Sequence, residues 1–79
     1  MVIKILGTGC PNCLKLEEMT KKAAQELNVN AEFVKVKEID QILEYGIART
    51  PGLVIDEVVK SSGRIPSIDQ IKTFIQEAM

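Results

Sequence analysis

Histidine and tryptophan are absent from this chain of 79 residues, which has only two cysteines. Without histidine, a closed four-ligand zinc site would have to recruit carboxylates or a second chain. A basic excess is missing too: ten Lys and Arg stand against eleven Asp and Glu, a formal net charge of −1. Nothing here neutralises a phosphate backbone, which argues against a nucleic-acid partner. Long hydrophobic runs are also lacking. The N-terminal run Val2-Ile3-Lys4-Ile5-Leu6 is interrupted by a lysine and is too short for the core of a signal peptide or for a membrane span. The expectation is a cytoplasmic protein that meets neither nucleic acid nor membrane.

What is present reads as an ordinary globular chain, 46% apolar and 27% charged, and argues against disorder. A chain of this size makes one domain, residues 1–79, and buries only about 60–65% of the surface it exposes when unfolded. Val2–Leu6 is β-branched and nearly continuous in apolar character, as a buried strand is. Gly7-Thr8-Gly9 breaks it. From Pro11 to Leu27 the spacing is helical, with Leu16, Met19, Ala23 and Leu27 on one face and Glu17, Glu18, Lys21 and Lys22 opposite. Pro11 suits a first helical turn, where its missing N–H is not needed, and Asn28 and Asn30 mark the stop.

Ala31–Lys37 alternates, with Phe33, Lys35 and Lys37 on one side and Val34 and Val36 on the other, a second strand. Ile39, Ile42 and Leu43 predict a short helix ending at Gly46. Leu53–Asp56 and Val58–Ser61 predict two short strands with a tight turn at Asp56-Glu57, which lacks the glycine such turns prefer. Ser67-Ile68-Asp69-Gln70 is a capping box. It opens a last helix carrying Ile68, Ile71, Phe74, Ile75 and Ala78 on one face. The order is β-α-β-α-β-β-α, an α/β fold with a small mixed four-stranded sheet flanked by helices. Its first two strands are parallel across a crossover helix and its last two form a hairpin. With the third strand antiparallel to the first, the start of the third strand and the end of the fourth return to where the first strand finishes.

The two cysteines, in Gly7-Thr8-Gly9-Cys10-Pro11-Asn12-Cys13, fall at that end, where the first strand turns into the first helix. Cysteine pairs in a reducing compartment are more often catalytic or metal-binding than permanent crosslinks, and so small a ring constrains little of the chain. Cys10 is expected at the helix N-terminus, where unpaired N–H groups and the helix dipole favour the reactive thiolate. Cys13, in the first turn, is expected to be less exposed.

Cys10-Pro11-Asn12-Cys13 resembles the active-site motif of the thioredoxin and glutaredoxin family, a dithiol after the first strand with proline between the cysteines. Thr50-Pro51, just before the third strand, resembles that family's cis-proline. The resemblance covers essentially the whole chain and is nearest to the small redox-active disulfide proteins. It implies a thioredoxin-like fold and a thiol–disulfide oxidoreductase in which Cys10 is the nucleophile and Cys13 the resolving thiol. Pro11, Asn12, Thr50, Pro51, Gly63 and Arg64 then surround the substrate groove. Arg49 and Arg64 either raise the local positive potential there or, as such residues more often are, stand as solvated surface charges. It further implies a monomer with no cofactor beyond the redox-active disulfide. Its partners are disulfide-containing proteins or small-molecule disulfides, and a reductase.

The chain departs from the family in four places. Thr8-Gly9 stands where thioredoxins carry a tryptophan. Lys35 and Lys37 occupy the second strand, and no buried aspartate is found where thioredoxins move protons. Asn12 stands where glutaredoxins place an aromatic residue between the cysteines. Ser62-Gly63-Arg64 matches only loosely the segment with which they hold glutathione. The alternative is a soft-metal chaperone, since two thiolates suffice for Cu(I) and the pair can contribute to a zinc site. Against it, Thr8 replaces the methionine of such domains, and the chain closes with a capped helix rather than a strand.

Overall fold

The structure is a computed structural model that describes residues 1–79. Its elements run β1 (Val2–Leu6), α1 (Pro11–Glu26), β2 (Glu32–Val36), α2 (Ile39–Glu44), β3 (Gly52–Ile55), β4 (Val58–Ser62) and α3 (Ile68–Glu77). The expected order is the observed one, with boundaries within a residue or two of those read from the sequence. The four strands form one sheet in the order β2-β1-β3-β4. β1 is parallel to β2 and antiparallel to β3, and β3 is antiparallel to β4.

Alternation along β1 divides the molecule into two cores. Ile3 and Ile5 face α1 and α3, where they meet Leu16, Ala23, Leu53, Ile55, Ile71 and Ile75. Leu6 faces the other way, with Val36, Ile42, Ile47 and Val54, under the short α2. Lys4 shares that second face but not its core. Its ammonium donates to the Tyr45 hydroxyl at 2.8 Å and pairs with Glu57. The hydrogen bonds to Glu57 and then to Tyr45 hold the Lys4 ammonium well above the ordinary lysine range. Tyr45, the C-cap of α2, therefore ties the end of that helix to the sheet.

Local signals explain most boundaries. Asn28, with φ 58°, takes the left-handed position that ends α1. Ser67 Oγ accepts from the Gln70 N–H at 3.2 Å, and Gln70 Oε1 accepts from the Ser67 N–H at 3.1 Å, completing the capping box of α3. The β3–β4 turn needs two left-handed residues and uses Asp56 (φ 49°) and Glu57 (φ 68°) without glycine. Long-range contacts hold them there: Asp56 Oδ1 accepts from the Val2 N–H at 2.9 Å, and Glu57 pairs with Lys4.

One expectation fails. Glu17, read as solvent-facing, is only 9% exposed. It follows Cys13 by four positions, so both lie on one face of α1, and the buried face is wider than the Leu16-Met19-Ala23-Leu27 stripe. Its charge is tolerated because Lys21 reaches it at 2.9 Å and Lys35, from β2, at 3.1 Å.

The core sets a stability contrast between two isoleucines on opposite faces of the sheet. Ile71→Ala, at a fully buried site, should cost about 2–5 kcal/mol in urea unfolding. Ile39→Ala, at a position 61% exposed, should stay within about 0.5 kcal/mol of the parent.

Candidate active site

The pairing of Leu6 with Gly52 brings the end of β1 and the start of β3 to one edge of the sheet. Cys10, in extended conformation at φ −66° and ψ 161°, is the N-cap of α1, and Pro11 follows at its first position. The Cys10 carbonyl accepts from the Leu14 N–H at 3.1 Å, and its sulfur accepts from the Cys13 N–H at 3.2 Å. A group at that place feels the positive end of the helix dipole. Cys10 and Cys13 are joined as a disulfide, with Cα atoms 5.1 Å apart. The two sulfurs differ in access: Cys10 is partly exposed, whereas Cys13 is 4% exposed.

Gly7 forms the wall behind Cys13. A Cβ at this position would overlap the Cys13 sulfur, so the sulfur rests against bare backbone. The Gly7 N–H is itself fixed to the Val36 carbonyl at 2.9 Å. Cys13, Gly7, Gly9, Glu17, Lys35 and Lys37 border one small cavity of about 40 Å³. Glu17 is the one carboxylate among them. Hydrogen bonding from Lys21, then from Lys35, holds its carboxyl below the ordinary glutamate range against the opposing effect of burial. Glu17 is thus ionised at neutral pH beside the less accessible sulfur. The sequence reading missed both roles. The i,i+4 spacing of Cys13 and Glu17 was the available signal for the second.

The remaining expected residues fall as follows. The Thr50–Pro51 peptide bond is cis, as the resemblance implies. Pro51 is buried and Thr50 exposed, and neither the N–H nor the carbonyl of Thr50 is hydrogen-bonded within the chain. Gly63 donates to the Pro51 carbonyl at 2.9 Å. It has φ 72°, and a Cβ there would stand 3.0 Å from that of Arg49. The end of β4 is therefore laced to the cis-proline segment. Thr8, Ile39, Leu43, Ile47, Arg49 and Thr50 line a second groove, of about 210 Å³. Pro11 and Asn12 are exposed at the tip of α1, and Arg64 is exposed beyond Gly63. None of these three borders either hollow.

The comparison with known proteins closes the question of kinship. A family model described as a thioredoxin domain matches residues 1–76. The chain belongs to the thioredoxin family. A curated thioredoxin of Methanothermobacter thermautotrophicus is 48% identical over 75 residues, spanning 95% of this chain and 97% of that protein. A curated thioredoxin of Methanocaldococcus jannaschii is 46% identical over 72 residues, spanning 91% of this chain and 83% of that protein. The thioredoxin fold expected from the dithiol and cis-proline motifs is the one observed.

Two outcomes follow from this geometry. Gly7→Ala drives a methyl group into the Cys13 sulfur and should lower the urea stability of the oxidised protein by about 1–3 kcal/mol. The ionised Glu17 stabilises the fold above its unfolded pKa, and this contribution fades as pH falls through its lowered folded value. Glu17→Gln should therefore remove part of the acid-side slope of stability below about pH 4.3, as measured by urea titrations from pH 7 down to the acid limb.

Proposed function

We propose that this protein is a thiol–disulfide oxidoreductase that works through its Cys10–Cys13 pair. The observation that carries the reading is the asymmetry of the two sulfurs. Cys10 is the accessible one, placed on the helix N-terminus, and Cys13 lies behind it against Gly7. The thioredoxin names of both relatives support the same activity.

In the reducing direction, the Cys10 thiolate attacks one sulfur of a substrate disulfide. A Cys10–substrate disulfide forms, and the other substrate sulfur leaves as a thiolate and takes up a proton. Cys13 then loses its proton and attacks the Cys10 sulfur. The intramolecular disulfide forms, and the second substrate sulfur leaves and is protonated. Two electrons pass from the dithiol to the substrate, and two thiols are released. The Cys13 proton leaves to solvent through the cavity that Cys13 and Glu17 both border. Thr50, with its backbone groups unpaired, offers hydrogen bonds to an extended substrate segment, while Pro51 and Gly63 fix the segment that carries it and Pro11 and Asn12 stand exposed beside Cys10. Arg49 and Arg64 add positive potential at the same end.

The sulfurs themselves carry the electrons, so this reading calls for no further cofactor. A reductase or a low-molecular-weight thiol regenerates the dithiol. A monomer suffices, and the cytoplasm, where thiols are kept reduced, suits the chemistry. No helix of the chain is long and apolar enough to cross a membrane. Soft-metal binding through the same two thiolates is the second reading, and the thioredoxin names of both relatives favour disulfide exchange over it.

Trapping tests the mechanism. Cys13→Ser incubated with extract of the source cells should accumulate disulfide-linked adducts on Cys10, identified by mass spectrometry, whereas Cys10→Ser should give few. Equal yields from the two variants, or none from either, would overturn the asymmetric mechanism.

A further inference from the structure

The distribution of unpaired charge and exposed apolar surface narrows the substrate class. Five ion pairs engage Lys4, Lys21, Lys35, Lys60 and Lys72. The other cations, Lys15, Lys22, Lys37, Arg49 and Arg64, have no ion-pair partner in the chain. Lys15 and Lys22 are exposed along α1, and the remaining three gather at the dithiol end. Lys37 borders the cavity of Cys13 and Gly9. Arg49 lines the groove of Thr8 and Thr50 and packs against Gly63, which Arg64 directly follows. The unpaired charges that line the two hollows are Lys37 and Arg49; Arg64 borders neither, nor do the nearest unpaired acids in sequence, Glu38 and Asp40 at the start of α2.

Between these cations lies apolar surface. Ile39 is 61% exposed and Leu43 60%, and both line the groove with Thr8 and Thr50. Two large aliphatic side chains left open side by side, on a groove that Thr8 of the dithiol loop and Thr50 also line, form the kind of patch that marks a partner site. Thr50, on the same groove, holds an unpaired N–H and carbonyl. These are what an extended polypeptide segment needs in order to add itself alongside.

We propose that the preferred substrate is an extended polypeptide disulfide with a bulky apolar side chain next to the reacting cysteine and acidic residues flanking it. The apolar side chain enters the groove of Ile39 and Leu43, the backbone pairs with Thr50, and the carboxylates meet Lys37, Arg49 and Arg64. This rests on the thiol–disulfide reading above and adds the selectivity of that same site.

The test uses three synthetic peptides whose single cysteine carries the same chromogenic aryl-thiol leaving group. The first has leucine beside the cysteine and glutamates flanking, the second has leucine with lysines, and the third has glycine with glutamates. Each rate with the reduced protein is divided by the rate with 2-mercaptoethanol, which removes intrinsic differences between the peptides. At low salt the acidic leucine peptide should react about tenfold faster than the basic one, a modest degree of electrostatic steering. That ratio should shrink once salt shortens the screening length to about 3 Å.

The double variant Lys37→Glu, Arg49→Glu alters exposed groups outside every ion pair and should reverse the order of the two leucine peptides. Ile39→Ser with Leu43→Ser should erase the advantage of leucine over glycine. An unchanged urea midpoint shows that each variant is folded. Equal rates for all three peptides, or glutathione disulfide reacting as fast as the acidic leucine peptide, would overturn the selectivity and leave the thiol–disulfide reading standing. Failure of every peptide and of glutathione disulfide to react would overturn both.

Discussion

The antiparallel register of β1 on β3 is the constraint from which the site follows, because it sets Leu6 opposite Gly52. Both chain segments that flank this pair carry chemistry: Gly7 to Cys13 leaves β1, and Thr50-Pro51 enters β3. A shift by one residue would turn Ile3 and Ile5 away from α1 and α3, exchanging the faces of both cores. The register is thus held by the burial of Ile3, Ile5, Leu53 and Ile55, and the dithiol inherits its position from that packing. Gly52 belongs to the same constraint. A Cβ there would run into Ile47 and crowd Leu6, so the close approach of α2's core to this end of the sheet depends on bare backbone at the first residue of β3.

Charge is handled differently on the two sides of the sheet. Under α2, Lys4 stands among apolar neighbours and is held by Tyr45 and Glu57, which also fastens the left-handed turn between β3 and β4. Along α1, Glu17 is nearly buried and lies between Lys21 and Lys35. A buried carboxylate without such partners would be driven to protonate. With them it stays ionised in a cavity that also borders Cys13. The same two lysines neutralise the buried charge and, by holding its carboxyl below the ordinary glutamate range, keep the Cys13 cavity lined by an ionised group.

Much of this was legible in the sequence, for identifiable physical reasons. The capping box at Ser67, the left-handed stop at Asn28 and the proline at the first position of α1 are local signals, and each was found where it was read. The family motifs also located the dithiol and the cis-proline at one end of the sheet. Glu17 was misread because a carboxylate on a helix is normally solvated. What helps neutralise it is Lys35, which arrives from β2 and is invisible to helical periodicity. The Asp56-Glu57 turn could not be typed for the same kind of reason, since the contacts that hold its two left-handed residues come from Val2 and Lys4. Gly7 read as a strand breaker, and only the position of the Cys13 sulfur shows that a Cβ has no room there.

The difference between the two cysteines does not come from the residues between them. Position ten caps the helix and stands outside its hydrogen-bonded body, with its sulfur accepting from the N–H three residues on. Position thirteen is inside the first turn, on the face that continues through Leu16, Glu17 and Thr20 into the core. Any sequence that starts a helix at Pro11 and packs that face on β1 gives one sulfur that solvent reaches and one that it does not. Pro11 and Asn12 point away from this division and are exposed. They are free to adjust reactivity or contact a partner without disturbing which sulfur is exposed. The difference in access between the two sulfurs is therefore a property of the strand-to-helix junction rather than of the side chains of Pro11 and Asn12.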